Sequence, residues 1–408
     1  MSLETTRTLS GFKLDWADEK VSITVSGVRV HSDGKITGGV RLILGKAKQE
    51  EPSFSFNFSS APTRKQLTNS LQEKYPDWKW LPIIDALCRT IQDRAIEGEP
   101  LIQIASSDEI NPIEYLVYPI IPKGKPTAIF GDPGGGKSQL AMVLAIILAL
   151  PWHDNPLQLE APATPTPILY LDYEADDDDL RRSLSGFTRG MELGYVPINY
   201  RRCSIPLTDD IDAIRNHADS VGAKAIFVDS TSLAAGGDLN RMDVATSYIR
   251  ALRQLNMTSV SLAHTSKDRD AKVKTIIGSV LFEAGFRSVF ECRGHEDSDN
   301  HTLDIGLFHR KFNLGAKASP LAYRIHYNGA STTIQWYDPK SIPEFVERMG
   351  NNRRILDLLK RGSMTTTEIT RELEISYPAA GMALKRMSSK GLVIELPDKR
   401  WRLSINEP

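Results

Sequence analysis

Residues 131–138 form a glycine-rich segment whose spacing, G-x-x-x-x-G-K-[ST], is suited to binding phosphate. Glycines at these positions let the backbone curl, so that successive N–H groups and the N-terminus of the next helix point at phosphate oxygens. Lys137 is expected to reach the β- and γ-phosphates, and Ser138 is expected to hold Mg²⁺. The segment therefore predicts a site for ATP and Mg²⁺. The predicted phosphate-binding residues are Gly131, Asp132, Pro133, Gly134, Gly135, Gly136, Lys137, Ser138 and Gln139.

The residues on either side of this loop fit the same interpretation. Residues 126–130 are a short apolar run that predicts a strand, and residues 139–150 are an unbroken helix-forming run. Strand, loop and helix in this order are the context that the pattern requires. The alternative, a glycine-rich turn before a buried helix, does not account for the complete spacing.

Composition sets limits on the class of protein. The chain has 408 residues with 50 Lys and Arg against 51 Asp and Glu, a net charge of −1, so contacts to nucleic acid must be local. Cys88, Cys203 and Cys292 are far apart, which favours a reducing compartment and argues against a zinc site. The longest apolar run, residues 140–150, is too short to span a bilayer. We expect a soluble, cytoplasmic protein.

The chain divides into three predicted regions. Residues 1–110 have the pattern of an α+β accessory domain, in which alternating phenylalanines at 54, 56 and 58 suit a half-buried strand and direct nucleic-acid contact is the alternative role. In residues 111–340 apolar strands alternate with helical stretches, which predicts a three-layer α/β/α fold around a mostly parallel sheet. Residues 348–408 predict three helices and a hairpin, a winged helix-turn-helix.

Two further predicted strands end in acids. Residues 225–229 are an apolar run ending at Asp229, which is expected to orient Mg²⁺. Residues 169–174 form a second such run, with Asp172 and Glu174 at its end. The acidic run at 176–179 is interpreted as the start of a helix, where the helix dipole stabilises negative charge, and not as a metal cluster.

With these motifs the chain resembles the RecA-like ATPases, and among them the RepA-type hexameric plasmid helicases, relatives of DnaB, RadA and KaiC. The resemblance covers about half of the chain. It implies that Glu174 polarises the attacking water, a role that a carboxylate suits, although Glu174 could instead cap the following helix. It also implies that His264, at the end of the strand 259–263, senses the γ-phosphate, although a lone histidine can be structural.

The same resemblance implies DNA contacts and a ring of subunits. The polar segment 267–274 matches the loop that faces the central pore of the ring and touches single-stranded DNA, although it could be a solvated turn. Arg287, Arg310 and Lys311 are the candidates for a cation inserted into the neighbouring subunit's site, or for surface ion pairs. We expect a homo-hexamer with no membrane contact. The predicted DNA-binding residues of the pore loop are Lys267, Arg269, Lys272 and Lys274.

The predicted winged helix offers a second basic surface on its third helix and its hairpin. It suits duplex DNA, with the helix in the major groove and the hairpin on phosphates, but winged helices also dock proteins. Its predicted DNA-binding residues are Lys385, Arg386, Lys390, Lys399 and Arg400.

Three functions fit the sequence. The first is an ATP-driven replicative DNA helicase, the second is a recombination or repair ATPase of RadA-like character, and the third is a regulatory ATPase that acts as a protein-docking switch.

Overall fold

The computed structural model describes most of the chain. The described residues are 2–8, 11–31, 33–45, 49–50, 52–97, 103, 112–266, 275–278, 280–342, 345, 351–389 and 391–404. The pore-loop residues Lys267, Arg269, Lys272 and Lys274, and Lys390 near the C-terminus, lie outside them.

The N-terminal region folds as an antiparallel sheet of six strands covered by two helices. Its strand order is β1-β2-β3-β4-β5, and β6 also pairs with β4. Alternate residues of β3 and β4 are buried, as the period of two predicts for a sheet with one covered face. The elements are β1 (Leu3–Arg7), β2 (Gly11–Trp16), β3 (Val21–Val30), β4 (Ile36–Leu44), β5 (Gln49–Glu50), β6 (Phe54–Asn57), α1 (Ala61–Lys74) and α2 (Trp80–Glu97).

In the sequence of helix α2, the spacing of Leu81, Ile84, Leu87 and Ile91 predicts that these side chains share one buried face. The pattern places Leu81 on the buried face, but Leu81 is 59% exposed. Trp80 and Ile83 are fully buried instead, together with the expected Ile84, Leu87 and Ile91. Trp80 also donates from Nε1 to the Tyr75 carbonyl over 3.0 Å, so its buried indole is anchored at the start of the helix.

The central region is built on a sheet of nine strands in the order β11-β10-β12-β13-β9-β14-β15-β16-β17. The first six are parallel, as predicted, and the last three extend the sheet as antiparallel hairpins that the sequence did not indicate. The strands are β9 (Pro126–Gly131), β10 (Ile168–Asp172), β11 (Asn199–Arg202), β12 (Ala225–Asp229), β13 (Thr258–His264), β14 (Ser288–Asp297), β15 (Thr302–Phe312), β16 (Leu321–Asn328) and β17 (Ser331–Trp336). A small hairpin, β7 (Tyr115–Val117) with β8 (Ile121–Pro122), precedes them.

Helices cover both faces of this sheet. All five residues of β10 and of β12 are buried, because side chains on alternate faces meet helices on either side. One apolar core contains residues of α3 and α4, and the other contains residues of α5 to α8. These helices are α3 (Lys137–Ala149), α4 (Asp177–Gly190), α5 (Ile211–Ser220), α6 (Thr231–Ala234), α7 (Met242–Leu255) and α8 (Val280–Gly285).

The C-terminal region has its own apolar core and the predicted winged helix-turn-helix form. The spacing of Thr365 and Glu368 predicts a capping box, and the two residues form it, since each side chain accepts a hydrogen bond from the other's backbone N–H. Its elements are α9 (Asn351–Leu359), β18 (Met364–Thr365), α10 (Thr366–Leu373), α11 (Tyr377–Ser388), β19 (Val393–Glu395) and β20 (Arg400–Leu403). The hairpin β19–β20 is the wing, and β18 pairs with β20.

The described part of the chain has no helix long and apolar enough to cross a membrane. The three cysteines are buried free thiols.

Candidate active site

The phosphate loop joins β9 to α3 and lies directly on the neighbouring strands. Gly136 caps the helix with φ of 83°, a conformation that favours glycine, and a Cβ there would lie 2.5 Å from Ile305 Cδ1. A Cβ at Gly131 would lie 2.1 Å from the Cys292 carbonyl oxygen. Close contact with β14 and β15 is therefore a second reason for glycine in this loop, besides access to phosphate.

Lys137 points back over the loop. Its Nζ donates to the carbonyl oxygens of Gly131 and Asp132, at 3.1 and 2.8 Å. Burial lowers the pKa of this amine, while the nearby carboxylates of Asp229 and Glu174 oppose the shift. A phosphate entering the loop would accept hydrogen bonds from the same ammonium, in place of these two carbonyl oxygens.

Asp229 ends β12 and lies beside Asp172, its register partner at the end of β10. Tyr170 donates from its hydroxyl to Asp229 Oδ2 over 2.9 Å, and the Ser138 hydroxyl bonds the same carboxyl group. Burial raises the pKa of Asp229, and the negative charges of Glu174 and Asp172 raise it further. The hydrogen bonds from the two hydroxyl groups lower this pKa but do not cancel the rise. The site thus holds more negative charge than its surroundings neutralise.

This arrangement fits Mg²⁺. The ion prefers carboxylate and hydroxyl oxygens and normally keeps several waters, and the oxygens of Asp229 and Ser138 are already in contact beside the phosphate loop. A cation here would offset the cost of the buried carboxylate. Among the described residues, no group of three or more His, Cys, Asp and Glu side chains could hold a metal alone, so phosphate oxygens and water would complete the shell.

Glu174 lies two residues beyond β10 and faces the phosphate loop. Its Oε1 lies 3.2 Å from His264 Nε2 and also accepts a hydrogen bond from the Ser230 hydroxyl. Burial raises the pKa of Glu174, but these two hydrogen bonds outweigh it and leave the pKa below its ordinary value. The side chain is 39% exposed, so a charged carboxylate is both oriented and open to water.

Asp172, in contrast to Glu174, has a structural role. Its Oδ1 accepts from the backbone N–H groups of Glu174 and Ala175, at 3.0 and 2.9 Å. These bonds shape the turn that carries Glu174. Asp176 caps α4 through the N–H of Asp179, so the acidic run starts a helix as predicted.

The phosphate loop, Glu174, Asp229 and His264 line one cavity of about 370 Å³. The structure therefore brings together the loop and three of the sequence-predicted catalytic residues. Leu303 and Tyr327, from β15 and β16, complete its wall.

The three predicted cations lie elsewhere. Arg310 lies on β15, and its guanidinium pairs with the buried Glu291, whose register partner on β9 is Phe130. Lys311 donates to the carbonyls of Glu283 and Phe286, at 2.8 and 3.0 Å. Arg287 is exposed, and its guanidinium pairs with no acid among the described residues. None of the three is among the described residues that line the phosphate-loop cavity.

The predicted DNA-binding residues of the winged helix that the structure describes divide into two groups. Lys385 and Arg386 on α11 and Lys399 in the wing are exposed. Arg400 turns inward, where it donates to the Ser363 carbonyl over 2.9 Å and pairs with Glu368 at 3.2 Å.

Four site residues were not singled out from the sequence. Ser230 holds Glu174, Tyr170 holds Asp229, and Thr265 donates to Asp132 Oδ1 over 2.6 Å. Cys292 donates from Sγ to the Gly135 carbonyl over 3.2 Å. Ser230 and Thr265 directly follow predicted site residues, which is a weak signal, while Tyr170 and Cys292 lie inside strands and give none.

Strand order and site geometry together define the class. One strand, β13, separates the phosphate-loop strand β9 from β12, which ends in Asp229, and Glu174 follows the next strand along. This is the arrangement of a RecA-like P-loop ATPase domain, here joined to a C-terminal winged helix.

Two family models match the chain, one over part of the ATPase domain and one over the winged helix. Residues 94–270 match the family described as AAA domain, and residues 351–395 match the bacterial regulatory proteins of the arsR family, a helix-turn-helix group. Among solved structures, a KaiC-like protein from the archaeon Pyrococcus horikoshii is similar, with 16% identity, 55% of this chain and 100% of that chain covered, and a TM-score of 0.39. No curated protein matches.

Replacement of Lys137 by alanine tests the loop. Hydrogen bonds to charged groups contribute about 1.5–3 kcal/mol, so Lys137→Ala should weaken ATP binding roughly 10- to 150-fold. Isothermal titration measures the loss. The matched control is Lys123→Ala, which removes an exposed lysine paired with Glu114. Equal ATP affinity in both variants would show that Lys137 does not contact the phosphates.

Proposed function

We propose that this protein is an ATP-hydrolysing DNA motor, a ring-forming replicative helicase of the RepA-like type. The observation that carries the hydrolysis is the position of Glu174, a charged, oriented carboxylate on the wall of the phosphate-loop cavity. The coupling to DNA is supported by the winged helix, whose third helix exposes Lys385 and Arg386.

In the proposed reaction, Glu174 accepts a hydrogen bond from the attacking water and aligns it with the γ-phosphate. Its low pKa keeps it ionised at neutral pH, and Ser230 and His264 fix its direction. Lys137 would hold the β- and γ-phosphates. Mg²⁺, held by Ser138 and Asp229, would supply positive charge against the phosphate oxygens.

His264 is proposed to link nucleotide state to the rest of the subunit. Its ring bonds Glu174, while the next residue, Thr265, bonds Asp132 of the phosphate loop. A change at the γ-phosphate would therefore reach the end of β13 by two contacts. The proposed pore loop, residues 267–274, follows that strand end directly, and this supports coupling between hydrolysis and DNA.

A ring is proposed because Lys137 is the only lysine or arginine among the described residues that line the phosphate-loop cavity. Arg287, Arg310 and Lys311 do not line it, as expected of residues that act on a neighbour's site. Arg287 is the best supported of the three, since Arg310 and Lys311 already have partners within the subunit.

A regulatory ATPase that docks a protein is the second candidate. The exposed face of α11 carries Tyr377 and Met382, which are 60% and 61% exposed. Large apolar side chains on a surface helix are common at protein interfaces, so this observation favours docking over contact with DNA.

Glu174→Gln tests the proposed base. The amide keeps the size of the side chain but cannot accept a proton from water, so hydrolysis should fall at least about 100-fold while ATP affinity stays near wild type. Steady-state phosphate release and ATP titration measure the two quantities. Asp178→Asn is the control, because it removes an exposed charge from the same segment. Full turnover by Glu174→Gln would falsify the assignment.

Single-stranded DNA should stimulate the ATPase rate, and the protein should unwind a forked duplex. The measurements are phosphate release with and without DNA, strand displacement, and mass in solution with ATP. DNA contacts through lysines predict that the stimulation falls as salt rises. A rate indifferent to DNA would favour the docking switch, and stimulation with filaments and no unwinding would favour a recombination ATPase.

Subunit mixing tests the cation in trans. Arg287→Ala and Glu174→Gln proteins, each inactive alone, should recover about one quarter of the wild-type ATPase rate when mixed in equal amounts, because an Arg287→Ala subunit keeps its own Glu174 and takes its arginine from a Glu174→Gln neighbour. Arg241→Ala is the control, since Arg241 is an exposed arginine paired with Asp243, and this variant should be active without mixing. No recovery in the mixture with Arg287→Ala would exclude Arg287, and the same mixture is then made with Arg310→Ala.

A further inference from the structure

Tyr327 lies between two cavities. On one side it lines the phosphate-loop cavity, together with Leu303. On the other it lines a cavity of about 680 Å³ whose wall includes Arg189, His301, His326 and Asn328. Tyr327 is 40% exposed, and its backbone N–H is held by the His301 carbonyl at 2.9 Å.

The order of the strands distinguishes the two ends of the phosphate-loop cavity. Glu174, Asp229 and His264 follow or end strands on one side of β9, whereas Leu303 and Tyr327 come from β15 and β16 on the other side. The γ-phosphate must lie toward Glu174, because water attacks there. The nucleoside must then extend past the phosphate loop toward Tyr327.

We infer that Tyr327 stacks on the base of the nucleotide, and that the cavity beyond it is the nucleobase site. This inference rests on the proposed ATPase function, since the direction comes from Glu174. A tyrosine ring offers a flat apolar face to any base. The guanidinium of Arg189 and the imidazole of His301, which also line the second cavity, offer hydrogen-bonding groups for the edge of the base.

The two cavities together are large enough for this role. Pockets that bind small ligands measure roughly 300–1,000 Å³, and a phosphate cavity of about 370 Å³ opens beside a second of about 680 Å³. Arg189 ties α4 to the turn after β16, through the Ala330 carbonyl at 3.1 Å, so the far wall is held in place.

Two probes separate base binding from phosphate binding. ATP carries a base, and inorganic tripolyphosphate carries only the phosphates. Tyr327→Leu should weaken ATP binding roughly tenfold, the effect of losing one stacked base, and leave tripolyphosphate affinity unchanged. Tyr327→Phe keeps the ring and should bind ATP as wild type does. Tyr195→Leu is the control, since Tyr195 is 89% exposed and lines neither cavity.

These titrations test the base site and the ATPase function separately. An unchanged ATP affinity in Tyr327→Leu, or equal losses for ATP and tripolyphosphate, overturns the base site while the ATPase function stands. Wild-type protein that binds neither probe overturns the proposed ATPase function and the base site with it. Thermal unfolding of all variants identifies a loss of affinity caused by misfolding. In that case the wild-type protein decides, because a base site requires it to bind ATP more tightly than tripolyphosphate, and equal affinities overturn the base site.

Discussion

Main chain packs on main chain around the phosphate loop, and the rest of the site depends on that contact. A Cβ at Gly131 would lie 2.1 Å from the Cys292 carbonyl oxygen, and one at Gly294 would lie 2.8 Å from Gly135 Cα. The Cys292 thiol adds a hydrogen bond to Gly135. Because no side chain separates the loop from β14 at these two positions, the loop cannot shift without the sheet, and its N–H groups keep the direction that phosphate requires.

Charge is the second constraint on the site. Parallel strands end at the same edge of the sheet, so Asp172, Glu174 and Asp229 are forced close together, where burial and mutual repulsion raise the pKa of Asp229. Hydroxyl groups of Tyr170 and Ser230 each bond one carboxyl group. A site with this imbalance is stabilised by positive charge, which Mg²⁺ would bring and which, in the proposed ring, a neighbouring subunit's arginine would add.

The antiparallel strands β15 and β16, on the other side of β9, form a different part of the cavity wall. Among the described residues that line the loop cavity, these strands contribute Leu303 and Tyr327 and no acid, and the two side chains form its opposite wall. The sheet thus separates a polar end, suited to hydrolysis, from an aromatic end, suited to a base. The winged helix has a separate apolar core, so its binding surface can be altered without disturbing the ATPase domain.

The sequence alone identified the phosphate loop, the acids at two strand ends, the parallel strands and the winged helix, because each depends on residues close together in the chain. The capping box of Thr365 and Glu368 and the acidic start of α4 are equally local. Only the tertiary structure identified the partners of the site residues, which are Tyr170 for Asp229, Ser230 for Glu174, and Cys292 and Tyr327 around the loop. Those contacts come from strand order and register, which bring together residues that are far apart in the chain. Local sequence patterns therefore do not predict them.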